Sequence, residues 1–161
     1  MTESATLPAG QAGTPVIDPR LPKLAEVPGF LAVIADGWGT PDRAVPMVDG
    51  AARAAAAHRK RLSAEFPGRS IVVGAGRAPV RANDTQYGFR PHSDFCWLTG
   101  CTEAEDAVLV MSPDSAVLYI PAPAYPGEKD FFASAARGEL WVGAAPGLED
   151  WSRALGLEVR S

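Results

Sequence analysis

Short apolar runs punctuated by glycine and proline set the outline of the chain. Ser70-Ile71-Val72-Val73 ends at Gly74 and reads as a strand buried on both faces. Asp94-Phe95-Cys96-Trp97-Leu98-Thr99, closed by Gly100, reads as a second strand. Ala107–Met111 and Ala116–Ile120 read as a third and a fourth. The turn residues Ser112-Pro113-Asp114-Ser115 join these last two into a hairpin. Val48–Phe66 carries no proline and is rich in Ala, Arg, Lys and Glu, which predicts a helix started by Asp49 and stopped by Pro67-Gly68. Its apolar positions Ala54, Ala57, Leu62 and Phe66 are expected to face inward, leaving His58-Arg59-Lys60-Arg61 on a solvated face. Further along, residues 127–137 read as a short helix around Phe131 and Phe132, Leu140-Trp141-Val142 as an edge strand, and Leu148–Leu155 as a helix. The pattern is that of an α/β fold, a mixed β-sheet flanked by helices.

Proline changes the picture upstream. Of 15 prolines, seven fall within residues 1–46. Each fixes φ and removes a backbone donor, so residues 1–45 are expected to form an extended, proline-rich arm. Phe30-Leu31-Ala32-Val33-Ile34 and Trp38 form an apolar knot in that arm, expected to dock on its own domain or on a partner subunit.

Composition narrows the function classes. The 161 residues hold 15 Lys+Arg against 19 Asp+Glu, a net charge of −4. This acidic balance argues against nucleic acid as a partner, since a phosphate binder needs a basic surface. No run of about 18 apolar residues is present to span a membrane, and Met1–Gly10 lacks the basic and apolar regions of a secretory signal. A cytoplasmic protein is the expectation.

The candidate chemistry is thin. Gly74-Ala75-Gly76 follows a strand, but Pro79 occupies the position where a dinucleotide loop needs its third glycine. His92-Ser93-Asp94 holds the residue types of a hydrolytic triad, yet neighbours on an extended segment point to opposite faces. Cys96 and Cys101 fit no zinc-finger spacing and read as buried thiols. Glu103, Glu105 and Asp106 read as a solvated turn or cap rather than a cation cage. No catalytic residue and no metal ligand is assigned to this chain.

A continuous stretch is more specific than any of these. Arg81-Ala82-Asn83-Asp84-Thr85-Gln86-Tyr87-Gly88-Phe89-Arg90-Pro91-His92-Ser93-Asp94-Phe95-Cys96-Trp97-Leu98-Thr99-Gly100 resembles the hallmark of the amino-terminal domain of aminopeptidase P, in the creatinase/prolidase superfamily. Glu103–Met111 resembles the acidic and apolar segment that follows, and Gly138-Glu139-Leu140-Trp141-Val142-Gly143 the E-x-W-x-G segment. The departures are Trp97 for Tyr, Pro91-His92 for a polar pair, and Ala104 for Pro. The residues themselves offer Tyr87 as a bulky anchor, Arg90 as a donor to carbonyls or a carboxylate, and Phe95, Trp97 and Leu98 as core.

The resemblance implies the ribonuclease H-like amino-terminal fold over residues 46–161, after the arm at 1–45. It implies that Asp84 and Trp141 lie near the active-site mouth of a neighbouring subunit; Tyr87 and Arg90 join them as substrate-access candidates. It further implies a separate, pita-bread catalytic domain, absent from these 161 residues, that binds two divalent ions, commonly manganese, and hydrolyses the bond before a proline at the second position. The expected partners are that domain, neighbouring subunits of a homo-oligomer, and the peptide. On this reading the chain is an inactive piece of a longer peptidase. The alternatives are a stand-alone interaction module of the same fold, or the equivalent domain of a prolidase- or creatinase-type enzyme.

Overall fold

The computed structural model describes residues 23–83 and 85–161. Four strands form the main sheet: β1 (Ile71–Gly74), β4 (Val108–Ser112), β5 (Ser115–Tyr119) and β6 (Glu158–Arg160), in the order β1-β4-β5-β6. β1–β4 and β4–β5 are antiparallel and β5–β6 is parallel, so the sheet is mixed. A separate two-stranded hairpin, β2 (Val80–Ala82) with β3 (Thr85–Gln86), lies between β1 and α3 (Ser93–Thr99) in the chain. Its short, wholly exposed strands carry no periodicity that would have announced them.

The hairpin β4–β5 forms where the apolar runs place it. Ser112 pairs with Ser115, so Pro113-Asp114 alone make the turn, tighter than the four residues expected. Register puts Leu109 opposite Leu118 on the core face, both fully buried. Alternate positions face away from the core, and Val72 stays 66% exposed. The first strand is therefore covered on one face, not two.

Helix α2 (Ala51–Glu65) packs with α3 and α6 (Leu148–Leu155). The core joins Phe95 and Leu98 of α3, Leu109 and Met111 of β4, Leu118 of β5, and Trp151 and Leu155 of α6. Each fully buried Leu or Phe contributes roughly 1.5–3 kcal/mol. In α6, Asp150 accepts a hydrogen bond from the Gly147 N–H at 3.2 Å, satisfying one of the helix's free donors.

Four further expectations change. Residues 94–99 are not a strand: α3 buries Phe95, Leu98 and Thr99, the i, i+3, i+4 face of a helix. A run this short is ambiguous between the two periods. The decision lies at its end, where Gly100 adopts φ 76° and returns its N–H to the Cys96 carbonyl. Residues 140–142 are likewise helical, within the one-turn α5 (Glu139–Val142).

The described part of the arm is not extended throughout. A 3₁₀ turn (Leu24–Glu26) leads into α1 (Pro28–Ala35), with Pro28 in the first turn. Proline breaks a helix from its interior but fits its start, where no N–H is needed. Residues 1–22 lie outside the described part.

Finally, α2 is rotated from its expected facing. Gly50, at φ 81°, rather than Asp49, precedes it. Ala55 and Arg59 are buried, Leu62 is half-buried, and Ala54, Ala57 and Phe66 face solvent. Arg59 turns inward because α3 ends there with free carbonyls: its guanidinium donates to Leu98 O at 2.7 Å. His58 Nδ1 lies 2.8 Å from Trp97 O. A carbonyl only accepts, so Nδ1 carries the proton in this contact.

Candidate functional site

The hallmark stretch is fastened to the sheet by backbone and by the acidic residues before β4. Ala75 N–H donates to Ala107 O (2.8 Å), His92 N–H to Ala75 O (3.0 Å), and Asp106 N–H to Gly76 O (3.0 Å). Gly76 has φ 92°, and the His92 ring lies where its Cβ would be. Arg77 forks onto the Asp106 carboxylate, with Nη2 at 2.7 Å, and Glu105 accepts the Ala78 N–H at 2.7 Å. Glu105 and Asp106 thus brace a turn, as their sequence setting suggested.

On this base the access candidates stand outward. Tyr87 is 56% exposed and its backbone N–H donates to Pro79 O, so its ring is not the anchor expected. Arg90 Nη1 donates to Pro91 O (3.1 Å) and Ser93 Oγ (3.3 Å), so among the described residues its donors go to a carbonyl and a hydroxyl. Asp84 lies outside the described residues. Trp97 is 58% exposed rather than core; its ring stacks on His58 at 3.4 Å and 5°. With Leu62, Leu98 and Asp94 the pair lines a groove of about 410 Å³ between α2 and α3.

His92, Ser93 and Asp94 share no side-chain hydrogen bond among the described residues, and Asp94 instead accepts the Phe95 N–H. Cys101 is buried, which pushes its thiol above the ordinary value; Cys96 is only half-buried, and both are free. Among the described residues no group of three His, Cys, Asp or Glu is arranged to hold a metal ion.

Trp141 belongs to a second surface. Residues 24–45 lie against α4 (Lys129–Ala133) and α5 to form an annex beside the sheet. Phe30 meets Phe132 edge-on at 4.9 Å, and Trp38 meets Phe131 at 5.4 Å, so the apolar knot docks on its own domain. Phe132 lies 6.0 Å from Trp141, whose Nε1–H donates to Phe132 O at 2.8 Å. The indole is pinned by its edge and still 55% exposed. Neither a hydrogen bond nor a ring contact joins Tyr87 or Arg90 to Trp141 among the described residues.

Beside the indole lies a pair that spacing did not reveal. Arg43 donates to Glu139 through Nε at 2.6 Å and Nη2 at 2.8 Å. The same carboxylate accepts the Ala145 N–H at 3.1 Å, and its side chain is 7% exposed. The Arg43 fork and the Ala145 N–H hold Glu139 below the ordinary carboxylate value. The guanidinium sits 4.7 Å over the Tyr125 ring, whose hydroxyl donates to Ala145 O at 3.2 Å and is pushed upward by burial. Glu139 stands in the quoted E-x-W-x-G segment, but Arg43 is 96 residues away in the arm, beyond any local pattern.

A mixed sheet covered by helices, with the hallmark stretch braced against it, makes an α/β domain whose sequence and fold recur in known proteins. Residues 55–160 match the family described as aminopeptidase P, N-terminal domain, and the chain belongs to that family. It is 40% identical over 106 residues to Xaa-Pro aminopeptidase 1 of Streptomyces coelicolor, covering 63% of this chain and 21% of that protein. It is 35% identical over 135 residues to Xaa-Pro aminopeptidase 2 of the same organism, covering 80% of this chain and 28% of that one. Among solved structures, an Escherichia coli aminopeptidase P variant in complex with substrate superposes with a TM-score of 0.56 at 23% identity, over 72% of this chain and 25% of that one. Proline aminopeptidase P II from Yersinia pestis gives 0.53 at 25% identity, over 67% and 24%. The chain thus spans between 21% and 28% of the length of these relatives.

Proposed function

We propose that this domain serves a Xaa-Pro aminopeptidase, a metallopeptidase that releases the residue preceding a proline, and that it acts by association and access rather than by chemistry. The observation carrying this is Trp141, a large aromatic pinned at its polar edge yet 55% exposed, within the segment that resembles the family's E-x-W-x-G. Offered across a subunit boundary, such a ring packs on the proline side of a bound peptide or beyond it, and it narrows the entrance so that short unblocked peptides enter and folded proteins do not. Tyr87, Arg90 and Asp84 are proposed to line the same entrance from the hallmark stretch.

The catalytic ions, two divalent metals and by this reading manganese, belong to a catalytic domain outside these residues; such a pair supplies hydroxide near neutral pH and polarises the scissile carbonyl. The partners are that domain, further copies of the chain in a homo-oligomer, and peptides with proline second. No described helix is long and apolar enough to cross a membrane, and we place the protein in the cytoplasm.

The test is Trp141→Ala in the full-length enzyme. Turnover of longer Xaa-Pro peptides falls while metal content and turnover of the shortest substrates hold. Equal kinetics for both proteins sinks the access role. Cleavage of Xaa-Pro dipeptides in preference to Xaa-Pro-Xaa peptides would reassign the domain to a prolidase.

A further inference from the structure

We propose that Arg43 is a positioning residue for Trp141, setting the indole through the forked bond to Glu139 at the head of α5; this rests on the access role given to Trp141 above.

Helix α5 is four residues long. One turn fixes many dihedrals for few hydrogen bonds, so it has little stability of its own and takes its orientation from outside. The structure supplies that orientation at both ends. Gly138, at its start, is buried and pressed against the Phe131 and Asp130 carbonyls, leaving no room for a Cβ. Glu139, its first residue, takes two hydrogen bonds from Arg43 and one from Ala145 N–H, so one carboxylate joins the arm, the helix and the loop after it. Trp141 is two residues further on the same turn. Its indole N–H reaches Phe132 O only while α5 keeps its place relative to α4.

Arg43 is itself held. Its plane lies over Tyr125, and Tyr125 in turn bonds Ala145 O, closing a ring of contacts around the carboxylate. A planar fork suits this geometry and an ammonium does not. Arg43, Trp38 and Phe30 all lie before residue 55, where the family match begins. The device that aims the aromatic therefore comes from a part of the chain that the family pattern leaves unassigned.

The test uses the 161-residue chain labelled with nitrogen-15, reading hydrogen exchange at the indole N–H of each tryptophan. Arg43→Ala speeds exchange at Trp141 by about tenfold or more, while buried Trp151 keeps its rate. Arg43→Lys falls between, because it keeps the charge and loses the fork. Where Arg43→Ala is not recovered folded, the lysine variant carries the comparison alone. An unchanged Trp141 rate overturns the proposal. So does an equal gain at Trp151, which would make the pair a general support of the fold. A Trp141→Ala enzyme with parental kinetics would remove the access role and leave the exchange result standing, so the two failures are distinguishable. Where both hold, Arg43→Ala and Trp141→Ala each raise KM for longer peptides, and the double variant raises it no further.

Discussion

On the helix side of the sheet, Phe95, Leu109 and Leu118 lose all exposure to water. In the annex only Phe131 is fully buried among the named aromatic rings; Phe30 and Phe132 are half-buried and Trp141 remains largely open, and much of the order comes from directed contacts: a forked ion pair, an indole N–H on a carbonyl, rings meeting edge-on. The first region is held by area removed from water, which is forgiving of direction. The second adds geometry to the one buried ring of Phe131, which suits a surface that must present one side chain in one attitude.

The comparison breaks most visibly at the core. Phe95→Ala costs about 3–5 kcal/mol, through lost transfer energy and an unfilled cavity, read as a shifted denaturant midpoint. Phe132→Ala, at a half-buried site, costs clearly less. Equal losses would mean that the annex is core after all. Next comes Gly138→Ala, where the methyl has no space; forcing it in costs about 1–3 kcal/mol by overpacking, and melting curves should show the loss together with a changed Trp141 environment.

The smallest effect is one of pH. The Glu139 carboxyl is held below its ordinary value of 4.5, so the pair's contribution is fully present above that value and is lost as pH falls through the lower, folded value. Trp141 indole protection, its exchange rate taken relative to the intrinsic rate at each pH, should therefore stay level from neutral pH down to the ordinary carboxylate range and fall only in stronger acid. Glu139→Gln should remove that acid-dependent step; its persistence would assign the step to another group.

The core region was the more legible of the two in the sequence. The runs at 70–73, 107–111 and 116–120 each marked a strand, and Leu148–Leu155 marked a helix, because burial against a sheet imposes a period that a single segment displays. α3 misled because six apolar-rich residues satisfy either period, and the αL glycine after them decides. α2 was found, but its facing was not: what turns Arg59 inward is the unsatisfied end of another helix. In the annex, Trp141 stood out through a resemblance, whereas Arg43 did not, because a contact between residues 43 and 139 leaves no spacing to read. The expected extended arm failed at Pro28 for a local reason, since a proline opens a helix as readily as it closes one.

β5 and β6 run side by side, tied by the Ile120 N–H to Arg160 O bond at 2.9 Å, although 38 residues lie between Tyr119 and Glu158. Neighbouring strands sit about 4.8 Å apart whatever lies between them. The stretch bearing α4 and α5 is thus an excursion that leaves the sheet and returns to its doorstep. The pairing of β5 with β6 is set by the register of the two strands and not by the length of that stretch. The exposed tip at Trp141 is the portion of this architecture whose side chain can be re-specified with the least demand on the sheet.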